Sequence, residues 1–551
     1  MTSVRTFFVL AAASVLPLAA CAEVAGEADG DTSDASTASG AQADSLTVGT
    51  TDVVTALDPA GSWDLGSAVL HGQIYRWLLT SEPGSTDPVP DVAETAEFTA
   101  PDEYTVTIRP DQKFANGNDL TASDVKFSFE RLVGINDPNG PAQLLGDLKS
   151  IETPDDHTVV FLLNSDNNVL WPQILTSPAG YILDEESFPA DNLATDAEIV
   201  EANAFGGQYA MTNYSANQHA VMTRNDLYDG LLGSAQTKDV TFQYYTDASN
   251  LKLDIEQGQV DVAYRTLGAT AVADLANKDG VKVHLGPGAE LRYFVFNAET
   301  APYGSATDEP DPDKALAVRQ AVADLVDREA LAEDVYQGTY QPVYSVVPSA
   351  LDGAVDSYLD AYGDGSGGPD AERAADRLSE AGVETPVTLN LQYNNDHYGE
   401  SAADEYAMIK SQLEADGLFT VNVQSTVWSE YSNGYRNDEY PLYQLGWFTD
   451  YPDADNYLNL VYGSDAVESI LGKANEDPTT NELIEQSRLE TDAAARADLL
   501  GQAQDALADY LPIVPLLQGQ DVIVARSNVQ GVEETQDPSF RFRVGLLSKT
   551  D

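Results

Sequence analysis

The chain has 551 residues, 90 acidic against 28 basic side chains, a formal charge of −62 and one cysteine. Such a surface repels nucleic-acid phosphates, and one thiol builds neither an internal disulfide nor a multi-cysteine zinc site. About 500 residues beyond the N-terminal segment exceed what a single hydrophobic core serves, so two or more lobes are expected.

Arg5 is the only basic residue among the first twenty, and the stretch from Phe7 to Ala20 is apolar or small apart from Ser14 and Pro17. A positive start, a short apolar run and small residues before a cut site describe an export signal over residues 1–20. The run is shorter than the roughly 20 residues of a transmembrane helix. Leu18-Ala19-Ala20-Cys21 resembles a bacterial lipobox, which implies that Cys21 is acylated and becomes the new N-terminus. Residues 21–45 carry a surplus of Ala, Gly, Ser, Thr and Asp and read as a disordered tether. Its span is on the order of 25–30 Å. The acidic residues continue along the whole chain, which fits solubility of an exported protein or life in salt. Attraction of a cationic ligand is the alternative.

The β-branched run from Leu46 to Val54 reads as the opening strand. Val69, Leu70, Ile74, Trp77 and Leu78 follow at helical spacing, and Tyr104–Pro110 alternates as a strand. Asn116-Gly117 marks a tight turn, and Thr121 with Asp124 forms a capping pattern for a helix carrying Val125, Phe129 and Leu132. A helix stopping near Gly258 precedes a short strand, and an apolar strand covers Leu291–Asn297. In the second half, Val318, Ala321, Val322 and Leu325 share a helix face and Asp327 caps a further helix. Strands at 386–394, 419–428 and 440–448 alternate with helices at 371–382, 403–417 and 495–512. The alternation describes an α/β protein with open sheets, without a fixed-period repeat.

No catalytic set stands out. The five histidines lie far apart and form no H-x-x-x-H pair, and no Walker A loop is present. The glycine-rich stretch at 363–368 lacks a serine-protease context. Residues 450–456 gather three aspartates without the glycine and distal Glu of an EF-hand. Neither a metal nor another cofactor is expected.

Residues 104–132, "YTVTIRPDQKFANGNDLTASDVKFSFERL", resemble the signature of bacterial extracellular solute-binding proteins, family 5, which bind peptides, dipeptides or nickel. Arg109, Phe114, Gly117, Leu120, Thr121, Ala122, Asp124, Val125, Phe127, Ser128 and Arg131 fit the pattern. Further stretches at 57–79, 204–228, 255–264, 318–331 and 446–458 look like family landmarks in the right order. The resemblance implies a two-lobed periplasmic-binding-protein-like fold of type II, with an extra subdomain inserted in the first lobe. Carried over, the first lobe holds 46–82, 205–295 and 518–551, the insert 83–204, and the second lobe 296–517. Extended segments around Leu291–Asn297 and Pro515–Val524 would make the two crossings.

The implied function is capture of a small solute, foremost an oligopeptide, and its delivery to the permease subunits of an ABC transporter. The protein would be a monomer anchored by lipid to the outer face of the cell membrane. A lipid-anchored hydrolase, a surface adhesin, and a binder of a nickel complex or oligosaccharide are the alternatives. Candidate ligand contacts are Tyr393, Asn394, Asn395, Trp428, Tyr431, Trp447 and Asp450. In peptide-binding members an aspartate in the segment of Asp450 pairs with the ligand's amino group. Asp453 and Asp455 are expected as turn and surface acids, and His397 as a surface residue. Dipeptide binders of the family hold the ligand carboxylate with an Arg in a loop that aligns with residues 394–400, where this chain has neither Arg nor Lys. Arg292 and Arg436 are the substitutes considered.

Overall fold

The computed structural model describes residues 43–265, 267–474, 477–539 and 541–550. The export signal, Cys21 and nearly all of the tether lie outside the described residues.

One mixed sheet of eleven strands runs through the molecule. At one end Ser45–Thr50 pairs in parallel with Asp239–Tyr244 and Val262–Tyr264, and the hairpin Tyr209–Ser215 and His219–Arg224 adds the edge. At the other end Leu442–Trp447, Val387–Asn394 and Phe419–Thr426 form a parallel set. Two long antiparallel strands, Val281–Phe296 and Ile513–Arg526, join the ends. They are the crossings expected from the sequence. The first begins ten residues earlier than its apolar run, at Val281 rather than Leu291. Register shifts between Gly286 and Glu290 and between Arg292 and Tyr293 let this long pair bend while staying bonded.

Each end carries its own apolar core. Leu46, Val48, Val240, Phe242, Ile523 and Phe542 pack together on one side, and Leu291, Phe294, Val322, Leu389 and Ile513 on the other. Leu65 touches both. The chain is thus a two-lobed α/β protein. A separate antiparallel sheet, ordered Ala93–Ala100, Glu103–Ile108, Thr158–Leu163 and Leu148–Asp155, packs with helix Ala122–Ile135 around a third core containing Val106, Phe129 and Phe161.

Local chemistry sets the boundaries. Thr121 and Asp124 form the expected capping box, each side chain accepting from the other's backbone turn. Helix Ala248–Gln257 stops at Gly258, whose φ of +71° suits a residue without Cβ. The helix through Val69 and Leu70 ends at Ile74 and does not reach Trp77 and Leu78. Arg76-Trp77 instead pairs antiparallel with Tyr181-Ile182, so a sheet partner over 100 residues away overrides helical spacing.

Candidate functional site

Strand Leu442–Trp447 lies beside the first crossing, with Trp447 opposite Leu291. Gly446 is needed here: an added Cβ would lie 2.8 Å from the Tyr398 ring and 2.9 Å from the Leu291 carbonyl oxygen. The strand ends in the acidic loop 448–453, after which Asp453 caps helix Ala454–Leu458 by accepting from the Asp455 N–H at 2.8 Å.

The acids of this loop meet different fates. Asp453 is paired with Arg496 at 2.8 Å, and Asp455 with Arg488 at 2.7 Å. Asp455 is fully buried, not the surface acid expected from the sequence. Asp450 has no cationic partner among the described residues. Its carboxylate accepts from Asn456 Nδ2 at 3.1 Å and from the Trp63 side chain. Asn456 Oδ1 in turn accepts from the Asp450 backbone N–H at 3.1 Å and from Trp447 Nε1 at 2.9 Å. One asparagine therefore ties Trp447 and Asp450 into a unit. Burial pushes the Asp450 carboxyl up to about 6, against the hydrogen bonds from Asn456 and Trp63.

Asp450, Thr449 and Pro452 line a cavity with about 690 Å³ of open space, mouth included. Its other walls come from helix Leu65–Ile74 (Leu65, Val69 and Gln73), Trp77, Tyr181, and Ser539, Arg541, Phe542 and Arg543 near the C-terminus. Apolar side chains thus surround a few polar groups. Phe448, one residue earlier in the loop, lines a second and more polar cavity with Arg265, Glu290, Arg292, Tyr340 and His397. There, Arg265 pairs with Asp52 at 2.9 Å and Arg292 with Glu290 at 2.9 Å. Arg292 also donates to the Tyr340 hydroxyl at 2.7 Å and to the Tyr398 carbonyl at 2.6 Å.

The remaining sequence candidates fall away from the first cavity. Tyr431 is buried, and its hydroxyl donates to the Gln444 carbonyl at 2.7 Å, so it is built into the second-lobe core. Tyr393 stacks on Tyr406 at 5.0 Å. Asn394 is buried and saturated. Its amide donates to Thr426 O and Asp396 Oδ1, both at 3.0 Å, and its oxygen accepts from the backbone of Asp396 and His397. It shapes the 394–397 turn. Asn395 is exposed on that turn. Trp428 stacks on His397 at 3.9 Å, beside the polar cavity that His397 lines. Arg436 donates to the Ser432 carbonyl within its own helix. Arg541, which lines the cavity, and Trp63, which bonds Asp450, were not among the sequence candidates.

A family model described as bacterial extracellular solute-binding proteins, family 5 Middle, matches residues 87–469. The oligopeptide-binding protein OppA of Bacillus subtilis (strain 168) is 24% identical over 448 residues, covering 78% of this chain and 79% of that protein. The substrate-binding protein CtaP of Listeria monocytogenes superposes with a TM-score of 0.77 at 20% identity, over 93% of this chain and 100% of its own. The periplasmic binding protein DppA of Helicobacter pylori, solved with the peptide STSA, gives 0.72 at 19% identity, over 93% and 99%.

Proposed function

Because the chain belongs to the bacterial extracellular solute-binding proteins of family 5, we propose that it captures a short peptide with a free amino terminus and hands it to an ABC importer. It is a solute-binding protein rather than an enzyme, as its named relatives are. The peptide reading draws on OppA, named for oligopeptides, and on DppA, solved with a tetrapeptide. The observation that carries it is Asp450, a cation-free carboxylate in an apolar-walled cavity between the lobes. A buried charge without a partner is costly, and a ligand ammonium supplies the missing partner. Trp447, held to Asp450 through Asn456, keeps the carboxylate aimed.

In the same reading, the first lobe is 46–82, 205–295 and 518–551, the inserted subdomain 83–204 and the second lobe 296–517. The separate four-stranded sheet within 93–163 and its own core support an insert there, while Tyr181, Leu183, Phe188, Ala194 and Ile199 pack into the first-lobe core. Cys21 carries the lipid that holds the protein at the outer face of the membrane.

Two experiments test the reading. In calorimetry with free and N-acetylated forms of the same peptides, Asp450→Asn lowers affinity for the free form by about 2–5 kcal/mol. Acetylation weakens binding to the wild type and changes little in the variant. Equal affinity in all four combinations removes Asp450 from the site. For the anchor, Cys21→Ser moves the protein from the membrane to the soluble fraction with peptide binding intact, and continued membrane attachment refutes it.

A further inference from the structure

Four guanidinium groups line the two cavities: Arg265, Arg292, Arg541 and Arg543. Three have a carboxylate partner, in Asp52, Glu290 and Asp537 respectively. Arg541 has none among the described residues, in a chain with 90 acidic side chains. Its Nη2 donates to the Thr176 carbonyl at 2.7 Å and to the Thr176 hydroxyl at 2.8 Å. Nη1 approaches the Ser81 hydroxyl at 3.3 Å and the Thr80 hydroxyl at 3.5 Å. Its Cζ stands 5.3 Å from the centre of the Trp77 ring. All these partners are neutral, and they fix the group without cancelling its charge.

The next residue fixes the segment. Phe542 stacks on Tyr264 at 4.3 Å within the first-lobe core, and its carbonyl accepts from Gln73 Nε2 at 2.6 Å. Arg541 is therefore presented to the cavity from an anchored strand of chain. Burial pulls its guanidinium down to about 10, Asp537 opposes this and Arg543 adds to it, so the group stays charged at neutral pH. The one cavity thus holds a carboxylate without a cation on a second-lobe loop and a guanidinium without a carboxylate on the first-lobe C-terminal segment.

We propose that Arg541 binds the carboxylate end of the ligand, so that the site selects a short zwitterionic peptide whose two charged ends engage opposite lobes. This rests on the reading of Asp450 as the amino-group partner. A guanidinium offers five donors in a fixed fork suited to a carboxylate; here the Nη1 contacts to Ser81 and Thr80 are long, at 3.3 and 3.5 Å, and a ligand carboxylate would replace them. The apolar walls of Val69, Trp77 and Phe542 receive the side chains between the ends. The anion subsite then lies on the lobe opposite the 394–400 loop, which has no Arg or Lys. A ligand holding both lobes by charge also couples binding to their closure.

The test is calorimetry with a panel of two- to five-residue peptides of Ala, Leu and Phe, each as free acid, C-terminal amide and N-acetyl form. For peptides that bind, amidation lowers wild-type affinity about 30-fold or more. Arg541→Gln binds the free acid as weakly as the wild type binds the amide, and discriminates between them less than about threefold. Arg541→Lys, which keeps the charge without the fork, restores part of the preference. The wild-type comparison of acid with amide stands even if a variant folds poorly. Equal wild-type affinity for acid and amide overturns the proposal and leaves the Asp450 reading in place. Loss of discrimination on acetylation alone overturns the Asp450 reading, and a panel in which no form binds overturns both.

Discussion

The two cavities share the loop 448–452 as a wall, yet their charges are arranged in opposite ways. In the polar cavity Arg265 faces Asp52 and Arg292 faces Glu290, with tyrosines completing the hydrogen bonds. In the apolar-walled cavity Asp450 and Arg541 each rest on neutral donors or acceptors. Matched pairs hold a structure together, because each charge already has its counterion. Unmatched charges lining one cavity leave the last interaction to something that enters. The difference separates arginines that shape the fold from one that reads a ligand, although all are large, cavity-lining and half or more buried.

The largest way to break this contrast is at Arg292, which is 3% exposed. Arg292→Met leaves Glu290 buried without its cation and removes the donor to Tyr340 and Tyr398. Breaking one side of such a pair costs about 3–5 kcal/mol of stability. Urea denaturation of wild type and variant measures it. A variant within about 1 kcal/mol of the wild type would place Arg292 with the ligand-reading groups instead of the structural ones.

Much of the fold was legible because it rests on local chemistry: the capping box at Thr121, the glycine stop at 258 and the strand–helix alternation. The first half of the long crossing was not. Gly286, Pro287 and Gly288 precede the apolar run and carry no strand pattern. In the structure the strand continues through them by a bulge, and a Cβ on Gly288 would meet the Gly519 carbonyl oxygen at 2.2 Å. Close packing of two distant strands explains Gly288, and the Gln536 side chain against the backbone explains Gly286. The signature positions of 104–132 turn out to hold the fold: Phe114 and Val125 are core residues, and Arg131 pairs with buried Asp58 at 2.6 Å. Matching them identifies the architecture and says little about the ligand.

In the candidate site, Trp447 and Asp450 were legible from their place at the end of an apolar strand in an open sheet. Tyr431 and Asn394 are engaged by Gln444, Asp396 and Thr426, contacts that only the tertiary structure supplies. Arg541 was invisible for a different reason. Its significance is that no carboxylate pairs with it among the described residues, and sequence does not show which charges the fold pairs.

The finest probe of the contrast is pH. Burial raises the Asp450 carboxyl to about 6, above the ordinary unfolded value near 4. A raised carboxyl means that the ligand-free fold holds its proton more tightly than the unfolded chain does. This group therefore subtracts stability as pH rises from about 4 to 6. A bound ammonium reverses the balance by favouring the ionised form, so binding releases a proton on the acid side of pH 6. Arg541, at about 10, stays charged through the window, and Tyr181, pushed upward by burial, stays neutral. A peptide amino group, with an ordinary value near 8, is largely protonated below pH 7. Asp450 is then the titrating group of the cavity, and peptide affinity falls about tenfold from pH 7 to pH 5. Calorimetry in buffers of different ionisation enthalpy counts the released proton directly. Asp450→Asn flattens the profile. The same slope in the Asp450→Asn protein would assign the titration to another group and erase the distinction between the two cavities.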